Sequence, residues 1–343
     1  MPRALISPFV NEENDYIAMQ RSALAEAGFD VEPFSFRMLA SSRLLGIFDS
    51  RNIIVVHWLE TRLFQTHAGR PRVSLSGMIQ FVVYMLVMMV ARARVVYFVH
   101  DHAVHDLFGW RKKLSARSIS CLRWVADIRF VHDPSFSDSY NAVYVPHPLY
   151  WQFHAVGHTS SALPDRANPE DASVFGVLGA IRPYKGIDRL LGVWPCGQKL
   201  LIAGKSNPDY VSRLQKIVVD RSLDQDVELR VGFLSKESFG ALLDAIDVLI
   251  LPHQPDSMLV SGAFFEAIGR VPCVMARSSP FIEWVAARYA GVLSFREDAE
   301  VPRVVAECLK RLPSLNPGVA RDFAADEFGW AKVVNTYRAN LLA

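Results

Sequence analysis

Phe175-Gly176-Val177-Leu178-Gly179-Ala180-Ile181-Arg182-Pro183-Tyr184-Lys185-Gly186-Ile187-Asp188 holds the change of pattern on which the fold turns. A short apolar run stops at a glycine. A loop then carries Arg182 and Lys185, and a helical pattern opens near Asp188. That is a strand delivering two cations to its carboxyl end, the edge at which an open α/β sheet binds its ligand. Arginine offers a planar fork to phosphate oxygens and lysine a compact point charge. Neither G-x-x-x-x-G-K-[ST] nor G-x-G-x-x-G is present, so the loop is neither a Walker loop nor a dinucleotide fingerprint. Spacing alone leaves a solvated basic loop open as the alternative.

Working outward, the same alternation continues on both sides. Downstream, Leu200–Ala203, Val227–Val231, Val248–Leu251 and Cys273–Ala276 read as strands, with helical patterns at Tyr210–Asp220 and Ser235–Ile246. Upstream, Ala4–Ile6, Val31–Phe36, Ile53–His57, Val95–Val99, Ile128–Val131 and Val143–Val145 are short runs, most of them β-branched. A helical segment at Asp15–Ala27 is closed by Gly28. Short buried runs separated by helices predict parallel sheets. Residues 155–172 are polar, carry Pro164 and Pro169, and read as a linker. The expectation is two Rossmann-like α/β domains facing a cleft: 1–154, the linker 155–172, then 173–329, with a closing helix at 330–343 packing back on the first domain.

Composition removes several functions. The chain has 343 residues, with Lys+Arg 37 against Asp+Glu 35, a balance too even for a protein living on nucleic-acid phosphates. Cys121, Cys196, Cys273 and Cys308 lie far apart, which speaks against a paired-cysteine zinc site and a disulfide scaffold. The start lacks the apolar core of a secretion signal, so a cytoplasmic location is expected. The charge is locally uneven. Between Glu60 and Phe130 eleven basic residues face four acidic ones, and inside that stretch Val73–Ala91 has no charge at all. A spanning helix is disfavoured because a strand follows it. A buried helix and a helix touching lipid, with Arg92, Arg94 and Arg111–Lys113 near anionic headgroups, both remain.

Two further segments carry candidate chemistry. After the run ending at Leu251, Ser261-Gly262 begins a helix expected to reach about Gly269. Free N–H groups there suit an anion, and Glu266 can accept hydrogen bonds from a ribose diol or make an ion pair. Nine of the ten histidines lie between His57 and His158. His57-Trp58-Leu59-Glu60 and His100-Asp101-His102-Ala103-Val104-His105-Asp106 each follow an apolar run. That places His100, Asp101, His105 and Asp106 as candidate bases, with a metal site the weaker use of the same residues.

These pieces in this order resemble GT-B glycosyltransferases of group 1, over nearly the whole chain. They resemble most the bacterial exopolysaccharide β-mannosyltransferases of the xanthan type. The resemblance implies transfer of a hexose, mannose from GDP-mannose, onto a polyprenyl-diphosphate-linked or other glycan acceptor. It implies donor contacts by Arg182, Lys185, Ser261, Gly262 and Glu266 and an acceptor side at His57 and Glu60. With protein cations on the leaving diphosphate no metal or other cofactor is expected, and the basic stretch around Val73–Ala91 predicts a peripheral position on the anionic inner face of the cell membrane. Glu266 matches the second glutamate of the E-x7-E motif. The first is replaced by Met258, as in the xanthan-type enzymes, and inversion at the anomeric carbon is expected. A GT-B-shaped nucleotide-sugar epimerase and a non-catalytic nucleotide-binding subunit of a polysaccharide assembly complex are the alternatives.

Overall fold

The structure is a computed structural model and describes residues 1–12, 14–67, 70–104, 107–155, 173–253 and 259–342. Most of the expected linker, from 156 on, and the candidate residues His105, Asp106 and Met258 lie outside those residues. The chain forms two compact units: Met1–Phe153 with Asp256–Val260 and Phe328–Ala343, and His154–Pro255 with Ser261–Glu327.

The first unit contains β1 (Arg3–Ser7), β2 (Asp30–Pro33), β3 (Ile53–Val56), a hairpin of β4 (Phe64–His67) and β5 (Arg70–Val73), then β6 (Arg94–Val99), β7 (Ile128–Val131) and β8 (Val143–Tyr144). Its main sheet is parallel throughout, in the order β2-β1-β3-β6-β7-β8. The central strands are buried on both faces, which is why they read as unbroken apolar runs. Val31–Phe36 departs from expectation. The strand stops at Pro33, and the Ser35 hydroxyl accepts from the Met38 N–H to start a short helix, Phe36–Leu39. The uncharged run is a helix over Leu75–Val90, capped by the Ser74 hydroxyl.

Pleating splits the first unit's core in two. Leu5, Ile54, Val56, Tyr97, Val99 and Val131 face the Leu75–Val90 and Trp110–Val125 helices. Ala4, Ile6, Ile53, Val55, Val96, Phe98 and Phe130 face the Tyr16–Ala27 and Trp330–Leu341 helices. The last helix is fixed there by Tyr337, which donates to Gln20 Oε1 and packs on Phe130 at 5.6 Å between ring centroids. Leu259 and Val260 join the other face, where the Leu259 N–H donates to the His100 carbonyl at 3.4 Å.

The second unit holds β9 (Val174–Leu178), β10 (Lys199–Gly204), β11 (Val227–Val231), β12 (Val248–Leu251), β13 (Cys273–Arg277) and β14 (Val292–Phe295). Its order, β11-β10-β9-β12-β13-β14, is that of the Rossmann sheet, and it reverses direction between β9 and β12. All pairs are parallel. Trp194, Phe175, Ile202 and Ile250 lie at the centre of its core. β14 was not anticipated, because Val-Leu-Ser-Phe is short and interrupted by a polar residue.

Two loops at the carboxyl ends of β9 and β10 come into backbone contact. Gly204 has φ +149°, and a Cβ there would lie 1.8 Å from the Gly179 carbonyl oxygen. Gly204→Ala is therefore expected to cost about 2 kcal/mol or more, read as a lowered urea midpoint with unchanged m-value. An unaltered midpoint would show that the contact yields freely.

Candidate active site

In the first unit, four strands end in histidine on one face. His57 follows β3, His100 follows β6, His132 follows β7 and His147 comes shortly after β8. Each lies an even number of residues from a side chain facing the Tyr16–Ala27 helix, so pleating brings all four together. They surround Tyr16, whose ring centroid is 4.9–5.7 Å from all four imidazoles. The Tyr16 hydroxyl hydrogen-bonds His132 Nε2 at 2.7 Å, and His132 Nδ1 meets the Val145 carbonyl at 2.8 Å. His57 Nδ1 and His100 Nε2 are 3.0 Å apart. His57 Nε2 is buried with no hydrogen-bond partner among the described residues. Trp58 stacks on His100 at 4.2 Å and adopts φ +49°, a left-handed conformation unusual for a bulky residue.

The opposite face holds the carboxylates. Tyr97 donates to Glu60 Oε2 at 3.2 Å, and Asp101 follows Tyr97 and Val99 in the pleat. Burial pushes Glu60 up to about 7. Burial, helped by the nearby Glu60 charge, raises Asp101 well above the carboxylate range. Of the expected bases, His100 and Asp101 are thus divided between the two faces, and so are the expected acceptor-side residues: His57 lies with His100 and Glu60 with Asp101. His102, next along the loop, hydrogen-bonds the Tyr140 hydroxyl. Among the described residues no group of three or more side chains is placed to hold a metal ion. Burial lowers His57, His100 and His147 well below the imidazole range and His132 to about 4, so these rings are neutral at pH 7.

Tyr16, His132 and His147 were not anticipated as site residues. The signal was present in IIVVH, YFVH, RFVH and VYVPH, where four apolar runs lead into histidine. What no local pattern gives is the partner, since Tyr16 and His132 are 116 residues apart.

In the second unit the Arg182–Lys185 loop lies at the carboxyl end of β9, at the point where the strand order reverses. Gly179 (φ +99°) takes a backbone bond to the Ala203 carbonyl at 3.0 Å, and the Ile181 N–H donates to the Lys205 carbonyl at 2.8 Å. Pro183–Lys185 forms one 3-10 turn before the Ile187–Val193 helix. Arg182 is exposed. Lys185 is partly buried, with Nζ 3.4 Å from where a Gly179 Cβ would stand, and burial lowers its ammonium to about 8. Asp188 is already engaged, accepting from Tyr210 Oη at 3.0 Å and pairing with Arg213 at 2.6 Å.

The Ser261-Gly262 helix is shorter than expected, Gly262–Ala267, and the Ser261 side chain caps no N–H group. Glu266 is partly exposed on that helix. An unanticipated cation is Arg277, which ends β13. It is buried, pairs with Asp298, donates to the Arg296 carbonyl at 2.8 Å and holds the Pro252 carbonyl after β12 at 3.2 Å.

The fold can now be set beside known proteins. No protein-family model matches the chain. Over 268 residues it is 25% identical to the GDP-mannose:glycolipid 4-beta-D-mannosyltransferase of Xanthomonas campestris pv. campestris, covering 77% of this chain and 69% of that protein. Anabaena HepE in complex with UDP-glucose superposes with a TM-score of 0.64 at 12% identity, over 100% of this chain and 99% of the other. Sucrose-phosphate synthase from Thermosynechococcus elongatus gives 0.59 at 15% identity, over 98% and 97%. The fold is GT-B, with two Rossmann-like parallel-sheet units, as the sequence led us to expect. Fold and curated relative together support a GT-B glycosyltransferase of group 1.

The buried titratable groups set a pH dependence. Below about 6.5 the unfolded chain protonates four histidines that the folded chain keeps neutral, so their contribution is full above pH 6.5 and is lost on acidification. Glu60 acts in the other direction, since with a folded value of about 7 it keeps a proton that the unfolded chain has released above about 4.5. Four groups outweigh the two carboxyls, and urea stability is expected to fall from pH 6.5 to 5. In Glu60→Gln the fall should steepen by about 1.4 kcal/mol per pH unit. An equal or shallower slope would place the Glu60 proton elsewhere.

Proposed function

We propose that the protein is a nucleotide-sugar-dependent hexosyltransferase that moves mannose from GDP-mannose to a lipid-linked glycan acceptor in exopolysaccharide or cell-surface glycan synthesis. The sequence relationship to a mannosyltransferase acting on a glycolipid carries this reading. A UDP-sugar donor is the second reading, favoured by the likeness in fold to a protein solved with UDP-glucose. Thermal-shift titration with GDP-, UDP- and ADP-sugars separates the two, because only a ligand that binds the native state raises its stability.

In the proposed reaction an acceptor hydroxyl attacks the anomeric carbon of the donor. The new carbon–oxygen bond forms as the bond to the diphosphate oxygen breaks. Lys185 and Arg182 balance the charge gathering on the leaving diphosphate, so protein cations suffice in place of a metal. Ser261 and Gly262 add polar contacts to phosphate, and Glu266 takes the ribose hydroxyls. The acceptor proton passes to a base on the His100–Asp106 segment. Among the described residues of that segment His100 is the candidate, its ring held by His57 at 3.0 Å. With a single displacement, an α-linked donor gives a β-linked product.

Lys185→Ala should weaken nucleoside-diphosphate binding roughly tenfold or more, the worth of one charge-assisted contact, and leave nucleoside binding nearly unchanged. In the parent protein, diphosphate affinity should decline above about pH 8 as the ammonium loses its proton. Equal losses for nucleoside and diphosphate would remove Lys185 from the donor site. The one-bond carbon–proton coupling at the product's anomeric centre reports the stereochemistry, and an α-linkage would replace inversion by retention.

A further inference from the structure

The carboxyl edge of the second sheet is tied in two halves. On one half the ties are backbone bonds. The Gly179 N–H after β9 donates to the Ala203 carbonyl at 3.0 Å, and the Gly232 N–H after β11 donates to the Gly204 carbonyl at 3.0 Å. On the other half the tie is one side chain, Arg277. Its Nε donates to the Pro252 carbonyl after β12 at 3.2 Å. Its Nη1 donates to the Arg296 carbonyl after β14 at 2.8 Å, and its Nη2 pairs with Asp298. The guanidinium also lies over Phe295, 4.9 Å from the ring centroid.

Between the two halves the sheet opens. β10 pairs with β9 from Lys199–Val174 to Ala203–Leu178. Among the described residues β12 pairs with β9 only at Val248–Phe175 and Leu249–Gly176. β9 and β12 therefore part toward their carboxyl ends, at the point where the strand order reverses. Arg182 and Lys185 follow the β9 side of this opening. Ser261, Gly262 and Glu266 belong to the β12 side, because the Gly262–Ala267 helix packs on β12.

Arg277 is built for position more than for stability. It is 9% exposed, and a buried ion pair adds little net stability where an apolar side chain of similar volume would serve as well. Its planar guanidinium fixes acceptors in three directions, which the point charge of a lysine does not. Its footing is firm, since Asp298 opens a 3-10 turn closed by a capping box between Glu297 and Glu300. Pro252 has no N–H to carry the β12 ladder further, so the strand end is located by its carbonyl on Arg277.

We infer that Arg277 is a positioning residue for the nucleotide, setting the β12 side of the opening against the β9 side without touching the ligand. The inference rests on the donor-site reading above. It differs from the role of Lys185 in what it does to a nucleoside. Lys185 meets the diphosphate alone, so its loss spares nucleoside binding. Arg277 governs the side that carries both Glu266 and the Ser261-Gly262 contacts, so its loss weakens nucleoside and nucleoside diphosphate by the same factor.

The test is calorimetric titration of the full chain with GDP and guanosine and with UDP and uridine. Arg277→Lys keeps a charge beside Asp298 and loses the planar geometry. It should lower the affinity for both members of the pair that the parent protein binds by roughly tenfold, the low end of what losing a supporting partner costs at metal centres. Arg277→Ala should show the same equal loss, largely restored by methylguanidinium at millimolar concentration, and Arg277→Lys decides alone if the alanine variant does not fold. Arg270 is the control. It lies at the amino end of β13, donates to the Gly240 carbonyl at 3.1 Å and pairs with Asp244 at 2.7 Å. Arg270→Lys should lower the urea midpoint and leave both affinities unaltered. A loss at Arg277 confined to the diphosphate would make it a direct phosphate ligand and overturn the positioning role. Unaltered affinities with a lowered urea midpoint would overturn it as well, leaving a structural tie. In both cases a Lys185→Ala variant that still loses diphosphate affinity keeps the donor-site reading standing. A parent protein that binds none of the four ligands overturns both.

Discussion

The parallel pairing of strands governs everything else in this molecule. A parallel sheet needs a crossover after each strand, so all strands of such a sheet end on one edge. The pleat then sends alternate residues to opposite faces. In the first unit those two rules gather His57, His100, His132 and His147 beneath Tyr16 and send Glu60, Tyr97 and Asp101 to the other side. In the second unit they set the Gly179–Lys185 loop at the point where the strand order reverses. The chemistry at each edge follows from where a strand stops and from the parity of the residue that follows it.

Much of this was legible before any coordinates. Ile128–Val131, Val227–Val231 and Val248–Leu251 have the bounds their composition suggested, and a fully buried run such as Val248–Leu251 has little choice of conformation. Boundaries slipped where side chains compete with the ladder. Pro33 has no N–H to donate and Ser35 caps a helix, so the run through Phe36 divides. The helix after Ser261 stops at Ala267, two residues before the glycine that seemed to end it. Site residues were less legible than strands. His57 and Glu60 are three apart and appear to form one group, yet the chain turns through the left-handed Trp58 and places them on different faces. Arg277 looked like an incidental charge at the end of CVMA, whereas it ties Pro252, Arg296 and Asp298 together.

The two edges are tuned by one physical effect with opposite consequences. Desolvation disfavours whichever form is charged. It strips protons from the histidines, holds them on Glu60 and Asp101, and loosens the one on Lys185. The buried imidazoles therefore resist protonation, whereas a lysine brought down to about 8 stays cationic at pH 7. The histidine edge of the first unit is thereby left uncharged at pH 7, while the loop after β9 in the second carries a cation.

The first unit is assembled from three separated stretches of chain, the last of them beginning at Phe328. Synthesis proceeds from the amino terminus, and domains ordinarily fold as they emerge. Here the apolar surface of Phe98 and Phe130 awaits Tyr337, and the Tyr16–Ala27 helix awaits its neighbour, until the Trp330–Leu341 helix has been made. The second unit, by contrast, has all its strands once Phe295 has been made. On the ribosome, then, the order of completion is reversed: the half that starts first finishes last.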